Sequence, residues 1–323
     1  MQIFLWKMIY NTYMNNYRDP NYISNFFSPI PDNRLSGNTP LRQTQLILLR
    51  LLRIFDRICR KNNLRYWLDS GTLLGAVRHG GFIPWDDDVD VVMPLDDFRK
   101  FKSLPDDEFP KDVFLQTEKT DIDFICPWAK LRDRFSYIEE AEGPYPYSQA
   151  ASIDIFPVVF ITDAQHKSRN WFGFLPPYNQ KPERIVKHLH LKSKVRIIVQ
   201  GNIQRLFILL LKIPFIMKFF EKKYSKGDKE WEKMPPIRWN KRYKDEDIFP
   251  LSTIFFEGVE FSCPANPHNY LTNLYGDYMT LPPPEKRCSD HAVVALFPIG
   301  PNPHFSALKW SDYYDEDGKL KNT

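Results

Sequence analysis

Tyr66-Trp67-Leu68-Asp69-Ser70-Gly71-Thr72-Leu73-Leu74-Gly75-Ala76-Val77 sets the architecture of this chain. A short aromatic and apolar run passes straight into Asp, Ser, Gly and Thr, which favour helix starts, and then into an apolar helical cluster. The spacing predicts a strand that delivers the chain into a helix N-terminus. Small residues at such a turn let phosphate oxygens approach the backbone, and the free N–H groups and dipole of the helix favour an anion there. Ser70, Gly71 and Thr72 are therefore candidate phosphate-binding residues, although most helices that open on a Ser or Thr cap bind nothing.

Downstream, the glycine- and proline-marked loop His79-Gly80-Gly81-Phe82-Ile83-Pro84-Trp85 leads into Asp86-Asp87-Asp88-Val89-Asp90-Val91-Val92-Met93-Pro94. If Val89, Val91 and Met93 share one face of a strand, Asp88 and Asp90 share the other, side by side. Without a cation that arrangement is unfavourable. Asp154, within Ser152-Ile153-Asp154-Ile155-Phe156-Pro157, again stands between β-branched residues, so a third carboxylate can face the first two. Three such oxygen donors suit Mg²⁺ or Mn²⁺, and metal ions in a pocket of this kind bridge phosphate oxygens. A solvated acidic turn is the plainer reading of Asp86 to Asp90. The alternation with valines and the nearby Gly71-Thr72 turn favour the functional one.

Working outward, Leu46, Leu49, Leu52, Ile54 and Ile58 among arginines predict a helix from Leu41 to the polar Lys61-Asn62-Asn63. Residues 18–40, with Pro20, Pro29, Pro31, Asp32, Asn33, Gly37 and Pro40, read as an extended lead-in, with the folded unit starting after it. Strands are expected at Val113–Gln116, Phe124–Leu131 and Ser152–Phe160, and a helix over Leu95–Phe101. Basic helices are expected from Pro182 to about Trp231, and short elements from Ile248 to Met279. The result is an α/β (α+β) chain with three parts: a lead-in over 1–40, a mixed-sheet catalytic core over 41–165, and a helical, basic region over 166–323 that packs back on the core.

Charge is unevenly spread. Between Lys181 and Lys244 stand 18 Lys/Arg against 5 Asp/Glu, so this stretch carries +13 while the whole chain carries only +4. A solvated helical face is its default reading; contact with an anionic membrane surface is the second, given the interleaved apolar run Leu206 to Phe220. Nucleic acid is disfavoured, because no recognition helix or base-stacking module is apparent. Cys59, Cys126, Cys263 and Cys288 lack metal-ligand spacing, which points to a reducing cytoplasm. Met1 to Tyr17 does not read as a signal peptide, and no run is apolar enough to span a bilayer. His188 and His190 sit among lysines and are given no ligand role.

The run from Tyr66 to Asp90, with Lys130-Leu131-Arg132-Asp133, Ile153-Asp154-Ile155-Phe156-Pro157 and Tyr270-Leu271-Thr272-Asn273-Leu274-Tyr275-Gly276-Asp277-Tyr278-Met279, resembles the LicD family of transferases, related to the fukutin group. The resemblance covers about Leu41 to His291. It implies the nucleotidyltransferase (polymerase beta-like) fold, with Gly71-Thr72 in the place of that fold's glycine-serine phosphate motif, Asp88 and Asp90 as its metal pair and Asp154 as its third carboxylate. It also implies metal-dependent transfer of a phospho-substituent such as phosphocholine from a CDP-linked donor to a hydroxyl of a glycan or lipid-linked glycan, with release of CMP. A cytoplasmic enzyme, peripheral at the inner membrane face, would suit that reaction. Arg78, one helix after the turn, is a candidate for the donor pyrophosphate, as are Lys130 and Arg132 on one strand face; for these two a salt bridge to Asp88 or Asp154 is the equal rival. Trp67 and Trp85 are candidates for stacking a base or sugar, or for the core. Two other functions compete: a nucleotidyltransferase that releases pyrophosphate, and an inactive glycan- or nucleotide-binding scaffold.

Overall fold

The computed structural model describes residues 30–121, 123–124, 126, 128–140, 148–163, 166, 228–233, 241–288, 293–299, 311 and 315. Helix α1 (Pro40–Lys61) begins where the Thr39 hydroxyl accepts the Arg42 N–H at 3.1 Å, with proline in its first turn, where no donor is needed. Ile47, Leu48, Leu51, Leu52, Phe55 and Ile58 recur at three- and four-residue spacing and are all buried, so this face is the core side. Arg60 and Lys61 close its last turn, where the helix dipole favours positive charge.

Next come β1 (Trp67–Leu68), α2 (Ser70–His79), β2 (Val89–Pro94), α3 (Leu95–Lys102), β3 (Val113–Gln116), β4 (Ala129–Asp133), β5 (Tyr137–Glu140) and β6 (Ser152–Thr162). They are followed by β7 (Lys229–Lys233), β8 (Arg242–Tyr243), α4 (Asp245–Ile248), β9 (Ser252–Phe256), β10 (Val259–Cys263), α5 (Pro267–Tyr275) and β11 (Val293–Phe297). The architecture is mixed α/β. Among the described residues its main sheet has seven strands in the order β1-β2-β6-β4-β3, with β7 and β8 extending from β6. Of its described pairings, that of β2 with β6 is parallel and the others are antiparallel. The length of β6 explains the branching: its Ile155 end pairs with β4, while Val158 meets Pro94 on one side and Lys233 on the other.

Val89, Val91, Val92 and Met93 of β2 and Ile153 and Ile155 of β6 have no exposed surface. Each fully buried aliphatic side chain of this kind contributes roughly 1.5–3 kcal/mol. Helices α1 and α3 pack on this sheet, and the β9–β10 hairpin packs against β1 and α2.

Three expectations change. The lead-in is part of the fold by Asp32, because Arg34 is wholly buried between Asp32 and Asp133 and donates to the Pro298 carbonyl at 2.6 Å. The strand expected over Phe124–Leu131 begins at Ala129 and runs to Asp133. Trp231, expected at the end of a basic helix, is in strand β7: Lys229-Glu230-Trp231-Glu232-Lys233 alternates along the edge of β6 and continues the core sheet. The helices expected from Pro182 to residue 227 lie outside the described residues.

Candidate active site

The turn into α2 and strand β2 are fastened to each other. The Asp69 N–H donates to the Asp90 carbonyl at 3.1 Å, and the Asp90 N–H donates to the Thr72 hydroxyl at 2.8 Å. Thr72 is therefore buried and couples the candidate phosphate turn to the acidic strand. A Cβ on Gly75 would stand 2.4 Å from the Gly81 backbone carbonyl, so that close approach requires glycine, whereas one on Gly71 would stand 2.9 Å from an Asp86 side-chain oxygen that can shift aside. Ser70 adopts a left-handed φ of 48°.

The register of the sheet then lines up three charged residues. Asp90 on β2 pairs with Asp154 on β6, and Asp154 pairs with Lys130 on β4, so all three side chains issue from one row on one face. Lys130 Nζ lies 2.8 Å from Asp154 Oδ1, and Trp128 Nε1 donates to Asp154 Oδ2 at 3.1 Å. The salt bridge weighed for Lys130 is thus formed. Arg132 is buried and turned elsewhere: its guanidinium donates to Gln116 at 2.6 Å and to the Ala150 carbonyl. Arg78, in the last turn of α2, donates to the Tyr278 carbonyl at 2.8 Å and so ties the helix to the C-terminal segment.

Asp90 differs from its neighbours. Among the described residues no hydrogen-bond donor reaches its carboxylate. Burial pushes its carboxyl well above the usual range and Asp88 adds to the rise; Lys233 opposes it, while Asp154 and Asp69 reinforce it. A proton or a cation relieves such a site. The carboxylates do not form a ready-made cage, since among the described residues no three His, Cys, Asp or Glu side chains are gathered closely enough to hold a metal ion. Lys130 and Trp128 engage both oxygens of Asp154.

Several site residues were not evident in the sequence. Asp69 reads as a helix cap, yet its side chain makes no cap bond. Instead it accepts from Tyr270 at 2.6 Å and Ser70 at 2.9 Å, and it pairs with Lys233. Burial alone would raise the Asp69 carboxyl, but the Lys233 charge and these hydrogen bonds reverse the shift and hold it low. Lys233 shows the mirror effect: burial pulls its ammonium down, and the facing Asp69, Asp90 and Asp154 carboxylates more than restore it. Tyr270 is fixed in turn by Trp67 Nε1 at 3.4 Å and by a parallel stack on Tyr243 at 3.9 Å. Trp67 is accordingly a core residue, while Trp85 is partly buried with the Arg287 guanidinium 5.9 Å above its ring. In the sequence Lys233 falls just past an expected basic helix, and the alternation Lys229-Glu230-Trp231-Glu232-Lys233 is the one signal that could have put it on a strand.

Residues 63–196 match the family model described as LicD/FKTN/FKRP, nucleotidyltransferase domain. Over 264 residues the chain is 29% identical to lipopolysaccharide cholinephosphotransferase LicD of Haemophilus influenzae, across 78% of this chain and 96% of that protein. A shorter stretch of 77 residues is 44% identical to human ribitol 5-phosphate transferase FKRP, covering 21% of this chain and 16% of that one. An uncharacterized protein of Rickettsia prowazekii is 44% identical over 73 residues, 22% of this chain and 26% of its own. The turn, the strand carboxylates and Asp154 all fall inside residues 63–196, the segment that matches the LicD family model.

Proposed function

We propose that this protein is a metal-dependent phosphotransferase that moves a phospho-substituent, such as phosphocholine, from a CDP-linked donor to a hydroxyl of a surface glycan or its lipid-linked precursor. The observation that carries the reading is the row Asp90–Asp154–Lys130 beside the Ser70-Gly71-Thr72 turn, in a chain that spans nearly all of a LicD cholinephosphotransferase. Relatives whose names specify cholinephosphate and ribitol 5-phosphate transfer make a substituted phosphate the expected cargo. The finer fold assignment, the polymerase beta-like nucleotidyltransferase fold, belongs to the same proposal.

In this reading the N–H groups at the start of α2 receive donor phosphate oxygens, and Arg78 and Lys130 add positive charge nearby. Asp88 and Asp90, with Asp154 when Lys130 yields it, would hold Mg²⁺ or Mn²⁺. Such an ion, when bound, neutralises charge on the transferring phosphate. The acceptor oxygen bonds to the substituent-bearing phosphorus, the bond to the bridging oxygen breaks, and CMP leaves with that oxygen. The hydroxyl proton passes to a carboxylate of the cluster. A lipid-linked acceptor would bring the protein to the inner membrane face from the cytoplasm. The basic stretch that would meet such a surface lies mostly outside the described residues.

The test is product identification after incubation with Mg²⁺ or Mn²⁺ and separate CDP-linked donors, CDP-choline first, or nucleoside triphosphates. CMP from one donor is expected. Pyrophosphate released from a triphosphate would replace this reading with nucleotidyl transfer. An Asp88→Asn, Asp90→Asn double variant that folds normally should turn over no donor, and retained turnover would end the metal-site assignment.

A further inference from the structure

Lys233 reaches the site from β7, beyond residue 196 where the family match ends. Its ammonium pairs with the Asp69 carboxylate, donates to Ser70 Oγ at 3.2 Å and lies 4.8 Å over the Phe156 ring. The side chain is 12% exposed, and that of Asp69 is fully buried. Tyr270 holds the other Asp69 oxygen at 2.6 Å. Segments far apart in sequence therefore converge on Asp69 and Ser70, the two residues at which α2 opens.

We propose that Lys233 is a positioning residue for the phosphate-receiving turn: it fixes Ser70, and through Ser70 the N–H groups of Gly71 and Thr72, in the orientation that accepts the donor diphosphate. The inference rests on the reading of this turn as the donor-phosphate site. A residue other than glycine keeps a left-handed φ only where its surroundings hold it there, and the described hold on Ser70 consists of the Asp69 carboxylate and the Lys233 ammonium. Lys233 also pairs with the Asp69 carboxylate that accepts the Ser70 hydroxyl. Loss of Lys233 removes both ties at once.

The experiment uses the full chain, Mg²⁺ and inorganic pyrophosphate as the probe, titrated calorimetrically, with thermal unfolding measured on every variant. Removing one member of a buried ion pair strands the other, whereas removing both is often close to neutral for folding, so Asp69→Asn with Lys233→Met is the decisive variant. Its melting temperature should stay within a few degrees of the parent's while pyrophosphate binding weakens by about tenfold or more. Ser70→Ala disturbs no charge and should weaken binding alike, and adding it to the double variant should cost little more, because all three changes cut one tether. Parent-like affinity in the folded double variant, or in Ser70→Ala, overturns the proposal. So does full additivity. Pyrophosphate binding needs no donor turnover, so a protein that behaves as described here yet releases no CMP contradicts the proposed reaction and leaves this inference standing.

Discussion

Replacing Arg34 with methionine tests whether the fold begins before α1. Arg34 is fully buried and directs its guanidinium at two carboxylates: Nε and Nη2 contact Asp32 at 2.6–3.0 Å, and Nη1 and Nη2 contact Asp133 at 3.1 and 2.7 Å. Nη1 also reaches the Pro298 carbonyl, so one side chain joins the N-terminal segment, β4 and the chain just after β11. Methionine preserves much of the apolar stem and removes all of these bonds, taking the Arg34 guanidinium away from two buried acids. Breaking a buried ion pair on one side costs about 3–5 kcal/mol. Asp133 keeps the N–H groups of Phe135 at 3.1 Å and Ser136 at 2.7 Å, which places the expected loss toward the lower end of that range. A loss of about 3 kcal/mol changes the folded-to-unfolded ratio by roughly two powers of ten. Urea unfolding followed by far-ultraviolet circular dichroism and tryptophan fluorescence reads this directly, with the denaturant slope as a check that the same surface unfolds. Pairing Arg34→Met with Asp32→Asn should recover part of the loss. A single-variant loss below about 1 kcal/mol at unchanged slope would refute the argument, because a cation between two buried acids cannot be removed so cheaply.

Thr72→Val keeps the shape of a buried residue and deletes the acceptor of the Asp90 N–H. Leaving that donor unsatisfied should cost about 1–3 kcal/mol in urea unfolding, and Thr72→Ser should cost less; equal stability of the valine and serine variants would show that the bond does not matter. Glu257 tests the pH dependence. Burial alone would raise its carboxyl, but hydrogen bonds from Arg42 and the Phe82 N–H, with the Arg42 charge, hold it below the usual 4.5. A carboxyl whose folded value is depressed stabilises above its unfolded value, near 4.5, and that contribution is lost as pH falls through the folded value. Glu257→Gln should therefore melt below the parent at pH 7 and converge with it under acid, and a gap that stays constant with pH would contradict the assignment.

How far the sequence reveals the molecule depends on whether a signal is local. The strand-turn-helix at Trp67–His79, the alternation that puts Asp90 opposite the core valines, and the placement of Asp154 are all matters of period and capping, which neighbouring residues determine. The pairing of Asp90 with Asp154 follows once both strands enter one sheet, but which strand lies between which is not a local property. Lys233 was lost for that reason. Its charge sits within a long basic stretch where solvated lysines are the rule, and only pairing of β7 with β6 carries this one inward. Arg34 was lost similarly, since a breaker-rich segment gives no hint that a buried acid on β4 waits for its guanidinium. Arg132 errs in the opposite sense: strand alternation places it on the same face as Lys130, yet its longer head turns to Gln116 and Ala150.

The two lysines explain why a cluster of carboxylates can serve one purpose. Asp69 and Asp154 flank Asp90, and each has an ammonium of its own, Lys233 for the first and Lys130 for the second. Their charges are thus largely neutralised within the protein, and their oxygens are fixed further by Tyr270 and Trp128. Asp90, between them, receives no hydrogen bond from a described residue and lies in the field of Asp88. Negative charge is therefore least offset at Asp90, and the Ser70-Gly71-Thr72 turn is joined to its strand by one hydrogen bond through Thr72. Lys130 comes from the segment that matches the family and Lys233 from beyond it, so the boundary expected near residue 165 does not divide the chemistry. The second half of the chain supplies the charge that lets the first half hold its acids together.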